Sequence, residues 1–133
     1  ETGFWTDGAG KLLICDLGGQ IVCLMFIDKE PSYFNGLELG YLLYDENSRN
    51  KGYVTEAVNL LTRHLFSTRT INRIQILVLP ANLASKQVAE KCGFRFEGLA
   101  RGAFYHRGKN QDVEIYSILR EEAEALSGTI LSG

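Results

Sequence analysis

Apolar and polar residues change rhythm several times along this chain, and each change marks an element. Residues 11–16 carry a short apolar run that reads as a strand, and the Gly18-Gly19 pair behind it is a hairpin signal. Residues 20–27 are apolar at nearly every position, the pattern of a strand buried on both faces. Residues 31–36 read as a loop. Residues 37–44 form a third strand, with Leu37, Leu39, Tyr41 and Leu43 on one face and Glu38, Gly40, Leu42 and Tyr44 on the other. From residue 53 to residue 67 the period becomes helical, and Val54, Ala57, Val58, Leu61 and Leu65 fall on one stripe. Residues 74–79 are a short strand rich in branched side chains, which Pro80 ends. Asn82 is placed to cap a helix over 83–92, and Gly93 to stop it. Phe94 and Phe96 then alternate with Arg95 and Glu97, so a strand begins there and runs to about residue 106, with a bulge at Gly98 or Gly102. Gly108 marks a turn, residues 112–119 are the last strand, and residues 121–126 a short helix.

Three strands, a helix, a strand, a helix and two strands make an α/β fold. A strand–helix–strand crossover joins parallel neighbours, whereas the meanders at the two ends pair antiparallel. The expectation is a mixed, mostly antiparallel sheet with a central parallel pair and helices on its faces. Length 133 is one domain over 1–133, enough for a real core. A net charge of −2 lacks the basic excess of a nucleic-acid binder, so no nucleic-acid partner is expected. No apolar run approaches the roughly 18 residues of a membrane helix, and no signal peptide is visible, which points to a cytoplasmic protein without a membrane partner. The single methionine is Met25, so the first residue is no initiator, and the start is either trimmed or internal to a longer chain. Cys15, Cys23 and Cys92 lie in apolar surroundings without metal spacing, as reduced core thiols do. His64 and His106 are isolated, and no metal is expected.

The chemistry concentrates at Ser48-Arg49-Asn50-Lys51-Gly52-Tyr53-Val54-Thr55-Glu56-Ala57, a polar loop between a strand and a helix. The first turn of a helix leaves N–H groups without internal partners, and the positive end of its dipole attracts anions. Gly52 permits close approach, and Arg49 and Lys51 add charge. The nucleotide P-loop is excluded because Tyr53 follows Gly52, and Leu99 follows the Gly93/Gly98 pair; no Gly-x-Gly-x-x-Gly occurs.

Arg49-x-x-Gly52-x-Val54 resembles the acetyl-CoA pyrophosphate loop of the GNAT N-acetyltransferases, whose pattern is Gln/Arg-x-x-Gly-x-Gly/Ala; Val54 departs at the last position. Asn82-x-x-Ser85-x-x-Val88-x-Glu90-Lys91-x-Gly93-Phe94 is similar to the same family. So are Phe96-Glu97-Gly98, Arg101, Gly108, Asp112 and Tyr116-Ser117-x-Leu119-Arg120-Glu121-Glu122. Together they resemble the RimJ/RimL-like branch, which acetylates protein N-termini and small amines. The strand and two helices with which the family starts have no counterpart here, so the resemblance is to an N-terminally short member. An exposed apolar face left that way is a surface for a homo-oligomer.

The resemblance implies that acetyl-CoA is the cosubstrate and lies in a V between the third and fourth strands. Backbone groups near Leu42 and Leu43 would pair with the pantetheine arm, and an N–H there would stabilise the oxyanion. The N–H groups of Asn50, Lys51, Gly52, Tyr53, Val54 and Thr55, with Arg49, would hold the pyrophosphate. Asn82 and Ser85 would lie near the sulfur. The acceptor would be a primary amine: a peptide N-terminus, a polyamine or another small amine. Its attack requires the neutral form, and free amines have pKa values of about 7.7–8.0 (α-amino) or about 10.4 (lysine-type), so a base is needed. Ala89 stands where the family often has an acid tyrosine, and Phe104 where some members of the branch have a basic glutamate. Ser85 is the acid the branch suggests. Glu38, eleven residues before Arg49, has the spacing of the base in the histone-acetylating branch and is the first choice; Glu114 is the second. Plain structural roles compete: a solvated carboxylate for Glu38, an ion pair with a neighbouring Arg for Glu114, a helix cap for Asn82, strand packing for Tyr41, Tyr105 and Tyr116, and an Arg101–Asp112 pair across the last hairpin. The two functions these residues allow are an acetyl-CoA-dependent N-acetyltransferase and an acyl-CoA-binding module with little catalysis.

Overall fold

The computed structural model describes residues 10–15, 18–19, 21–29, 34–43 and 51–127. In chain order it contains β1 (Gly10–Cys15), β2 (Ile21–Lys29), β3 (Gly36–Leu43), α1 (Lys51–Thr68), β4 (Arg73–Val78), α2 (Leu83–Lys91), β5 (Arg95–His106), β6 (Lys109–Leu119) and α3 (Arg120–Ser127). The strands form one sheet in the order β1-β2-β3-β4-β6-β5. β3 and β4, joined through α1, pair parallel, and the other four pairings are antiparallel. This is the mixed sheet with a central parallel pair that the hydrophobic pattern predicts. Among the described residues, no helix is long and apolar enough to cross a membrane.

The register decides which side chains share a face, because residues paired across strands point the same way. Ile27, Leu39, Ile76 and Tyr116 follow one another across the sheet, and all are buried. With Met25, Leu37, Ile74, Val78 and Ile118 they form the strand half of the core. The helical half is the α1 stripe of Val54, Val58, Leu61 and Leu65, joined by Phe66, with Val88 and Ala89 of α2 and Ala123 of α3. Each fully buried Leu or Ile contributes about 1.5–3 kcal/mol, so this one cluster dominates stability.

The expectation that residues 20–27 are buried on both faces fails on the second face. Met25 and Ile27 are fully buried, but Leu24 and Phe26, which alternate with them, are only half-buried. α1, α2 and α3 all send their buried residues to the Met25 side, so the Phe26 side lacks that cover.

Local chemistry explains the element ends. α1 starts at Lys51, two residues before residue 53, at which its helical period becomes visible. β6 starts at Lys109 rather than 112, because Arg107 and Gly108 both take positive φ (54° and 78°) and close a two-residue hairpin between His106 and Lys109. Both glycines named as bulge candidates lie at register shifts of β5, one between Phe96 and Gly98 and one between Ala100 and Phe104. α2 ends as its sequence says. Gly93 has φ 86°, its N–H donates to the Glu90 carbonyl, and the Phe94 N–H donates to the Ala89 carbonyl. Arg120 ties the last helix to the first: its guanidinium donates to the carbonyls of Phe66, Arg69 and Ile71 and lies over the Phe66 ring. These bonds satisfy carbonyls at and beyond the end of α1 that the helix itself leaves unpaired.

Candidate active site

The parallel pair does not run the length of its strands. Pairing goes from Gly36 opposite Arg73 to Leu39 opposite Ile76 and stops there, although β3 continues to Leu43 and β4 to Val78. The strands therefore part in a V at their C-terminal ends. Leu42 and Leu43 pair with Leu24 and Cys23 of β2 on one side and, among the described residues, have no strand on the β4 side. A strand edge left open inside a sheet offers backbone donors and acceptors to an extended ligand.

A cleft of about 350 Å³ opens at this V. Glu38 and Tyr41 of β3, Leu77 and Val78 of β4, Asn82 and Ser85 at the start of α2, and Phe104, His106 and Val113 of the last hairpin line it. Phe104 and His106 stack there with ring centroids 5.7 Å apart. Glu38 and Ser85, the two residues expected to carry proton transfer, thus come from different elements and share one cleft. A larger hollow of about 480 Å³, between α1, the end of α2 and α3, contains none of the expected site residues.

Asn82 is the cap of α2. Its Oδ1 accepts a hydrogen bond from the Ser85 N–H at 3.1 Å, while its exposed side leaves it in the cleft wall. Ser85 is buried, and its carbonyl accepts a hydrogen bond from the Tyr41 hydroxyl at 2.8 Å. Tyr41 is thus more than the strand packing expected of it. Periodicity gives its face but not that the strands separate beneath it.

Glu38 is half-buried on the face opposite the core and accepts a hydrogen bond from Gln75 Nε2 at 3.2 Å. Gln75 in turn accepts from Arg73, which forms two hydrogen bonds with Glu97 at 3.1 and 3.2 Å. A polar chain so crosses β3, β4 and β5 and holds the carboxylate. Asp28 lies directly opposite Glu38 on β2. Like charges directly opposite one another across strands repel.

Glu114, the second choice for a base, does not line the cleft. Its expected partner was a neighbouring arginine, but it pairs with Lys86 of α2, Oε2 to Nζ 3.2 Å, because the register of β6 sets it under that helix. Its Oε1 accepts from the Tyr116 hydroxyl at 3.2 Å. Burial, then the negative charge of Glu114 and its hydrogen bond, push the Tyr116 pKa up. Asp112 likewise accepts from the Gly102 N–H at 2.8 Å, a backbone brace for the β5 bulge in place of the expected Arg101 pair.

Lys51, Gly52, Tyr53, Val54 and Thr55 open α1, and Gly52, Tyr53, Val54 and Thr55 do not line the cleft. Arg49 and Asn50 lie outside the described residues. Val54 is buried in the core, so it can offer a ligand only its backbone. A Cβ on Gly52 would meet no described residue within 4 Å, so packing among the described residues does not demand glycine there. Cys92 is a buried thiol whose Sγ donates to the Thr55 carbonyl at 3.4 Å, which ties the end of α2 to that first turn; burial pushes its pKa up to about 11.

Comparison with known proteins places this geometry. The model of the Acetyltransferase (GNAT) domain family matches residues 5–95. The chain is 38% identical to the Bacillus subtilis probable N-acetyltransferase YjcK over 86 residues, 65% of this chain and 47% of that protein. It is 31% identical to the Escherichia coli ribosomal-protein-serine acetyltransferase over 110 residues, 83% of this chain and 61% of that protein. Among solved structures, a putative ribosomal-protein-serine acetyltransferase from Vibrio cholerae superposes with a TM-score of 0.74 at 25% identity, covering 84% of this chain and 64% of that one. The chain spans about half the length of YjcK. By the family match over most of its length, and by a sheet that parts at its parallel pair beside a capped helix, the chain belongs to the GNAT acetyltransferase family.

Proposed function

We propose that this chain carries an acetyl-CoA-dependent N-acetyltransferase site, which transfers an acetyl group directly to a primary amine. The observation that carries the reading is the V itself: an open β3 edge at Leu42 and Leu43, with Glu38 and Ser85 on the walls of one cleft. The residues suit the cosubstrate. The N–H groups at the start of α1, with no described residue packed against Gly52, suit a pyrophosphate. The open edge of β3 suits the amides of a pantetheine arm.

In this mechanism Glu38 takes a proton from the acceptor ammonium, leaving a neutral amine. The amine nitrogen attacks the thioester carbonyl, and its C–N bond forms as an N–H at the β3 edge stabilises the oxyanion. The C–S bond then breaks, the leaving thiolate takes the Ser85 hydroxyl proton, and the proton shed by the new amide nitrogen returns to Ser85, leaving CoA as the free thiol. The Glu38 carboxylate in the cleft, with Asp28 opposite it on β2, favours a cationic acceptor, such as a protein N-terminus or a polyamine.

The alternative is an acyl-CoA-binding module with little catalysis. Ala89, fully buried, and Phe104 stand where an acid tyrosine and a basic glutamate occur elsewhere in the family, and favour that reading. Calorimetric titration of acetyl-CoA and CoA, followed by thiol release against a panel of amines, separates the two. The transferase requires micromolar binding together with thiol release. Binding without release from any amine is the module. No binding of either ligand removes both.

A further inference from the structure

α2 has unusually little apolar anchorage for an element on which a site depends. Only Ser85, Val88 and Ala89 of its nine residues are buried, and one of those is a serine. Two polar contacts supply what packing does not, one on each side. From β3, the Tyr41 hydroxyl crosses the V to the Ser85 carbonyl at 2.8 Å. From β6, Glu114 holds Lys86 at 3.2 Å, and Glu114 is itself steadied by Tyr116. Ser85 and Lys86 are consecutive, so both contacts grip the same turn, the one Asn82 caps.

We propose that Tyr41 and Glu114 are positioning residues: together they fix the first turn of α2 relative to the two strands that border the V, and so set Asn82 and Ser85 against the cleft. The proposal rests on the transferase reading for its kinetic consequence but not for its geometry. Neither residue needs to touch a reacting atom. Tyr41 spans the part of the V where β3 and β4 have stopped pairing, so no ladder hydrogen bonds hold the gap at that level. Lys86 and Glu114 are both largely shielded from solvent, with side-chain exposures of 23% and 16%, so their pairing is less screened than a surface ion pair.

The test compares Tyr41→Phe, Glu114→Gln and Lys86→Arg with the parent chain. Tyr41→Phe and Glu114→Gln should raise KM for acetyl-CoA by about threefold to tenfold, the scale of one lost hydrogen bond, and leave KM for the amine unmoved. Lys86→Arg, which keeps the ion pair, should behave as the parent. Amide hydrogen exchange should quicken at residues 85–89 in the first two variants and not in β2 or β5. A loss of activity with both KM values unchanged and exchange faster throughout would reduce these residues to general stability and overturn the proposal, as would unchanged kinetics and exchange. Should the parent chain neither bind acetyl-CoA nor release thiol, the transferase reading fails by itself. The exchange comparison then decides alone: local quickening at 85–89 supports the brace, and none overturns it.

Discussion

The two faces of the sheet are built from the same strands and obey different rules. On one, Met25, Ile27, Leu39, Ile76 and Ile118 lie under the helices with at most 1% of their surface exposed. On the other, Phe26, Glu38, Gln75 and Leu77 are half-buried, and a relay of polar groups from Glu38 through Gln75 and Arg73 to Glu97 takes the place of packing. The dry face tolerates no gap and accounts for stability. The wetter face borders the cleft and carries the Glu38 carboxylate. The cleft at the V is where the two meet, since Ser85 belongs to the helical side and Glu38 to the other.

Changes to each face should separate these roles. The largest effect is expected from Leu39→Ala, which leaves a cavity at the centre of the dry face and should cost about 2–5 kcal/mol in denaturant unfolding. A loss below about 1 kcal/mol would mean that the face is less tightly packed than its burial indicates. Next is Glu38→Gln, one residue away on the other face. Thiol release should fall at least about tenfold, or about 1.4 kcal/mol of barrier, with acetyl-CoA affinity and melting temperature preserved. Unchanged turnover would take Glu38 out of the mechanism. At the seam, Asn82→Ala removes the α2 cap and should cost about 1 kcal/mol of stability while weakening acetyl-CoA binding. Stability loss alone would leave Asn82 a cap and nothing more.

The last effect, silent at neutral pH, is a pH dependence of the dry face. The Cys92 thiol has its pKa raised from 9.0 to about 11 by burial. The unfolded chain therefore ionises first, so the protonated thiol's contribution to stability is complete below about pH 9 and disappears as pH rises towards 11. Melting temperature should decline across that window, and Cys92→Ala should make the decline shallower. Equal slopes in the two chains would show that the thiol is not the group responsible.

Much of this was legible from residue order. The helical stripe of α1, the Asn82 cap, the Gly93 stop and the alternation of Leu37, Leu39 and Tyr41 against Glu38 and Gly40 are local signals. Backbone geometry and side-chain period alone generate them, and the structure has each where the pattern puts it. The half-buried face of β2 was misread because an unbroken apolar run records what a strand tolerates and not what covers it. The partner of Glu114 was misread because strand register brings together residues 28 positions apart, Lys86 and Glu114, and no window of sequence contains both.

Residue order alone therefore set the elements, their caps and turns, and the candidates for chemistry, because hydrogen-bonding period and steric preference act over a few residues. Tertiary structure decided the rest: where β3 leaves β4, that Glu38 and Ser85 share one cleft, and that Tyr41 reaches across to the turn that holds Ser85. These are distances between segments far apart in the chain, set by the balance of packing over the whole sheet.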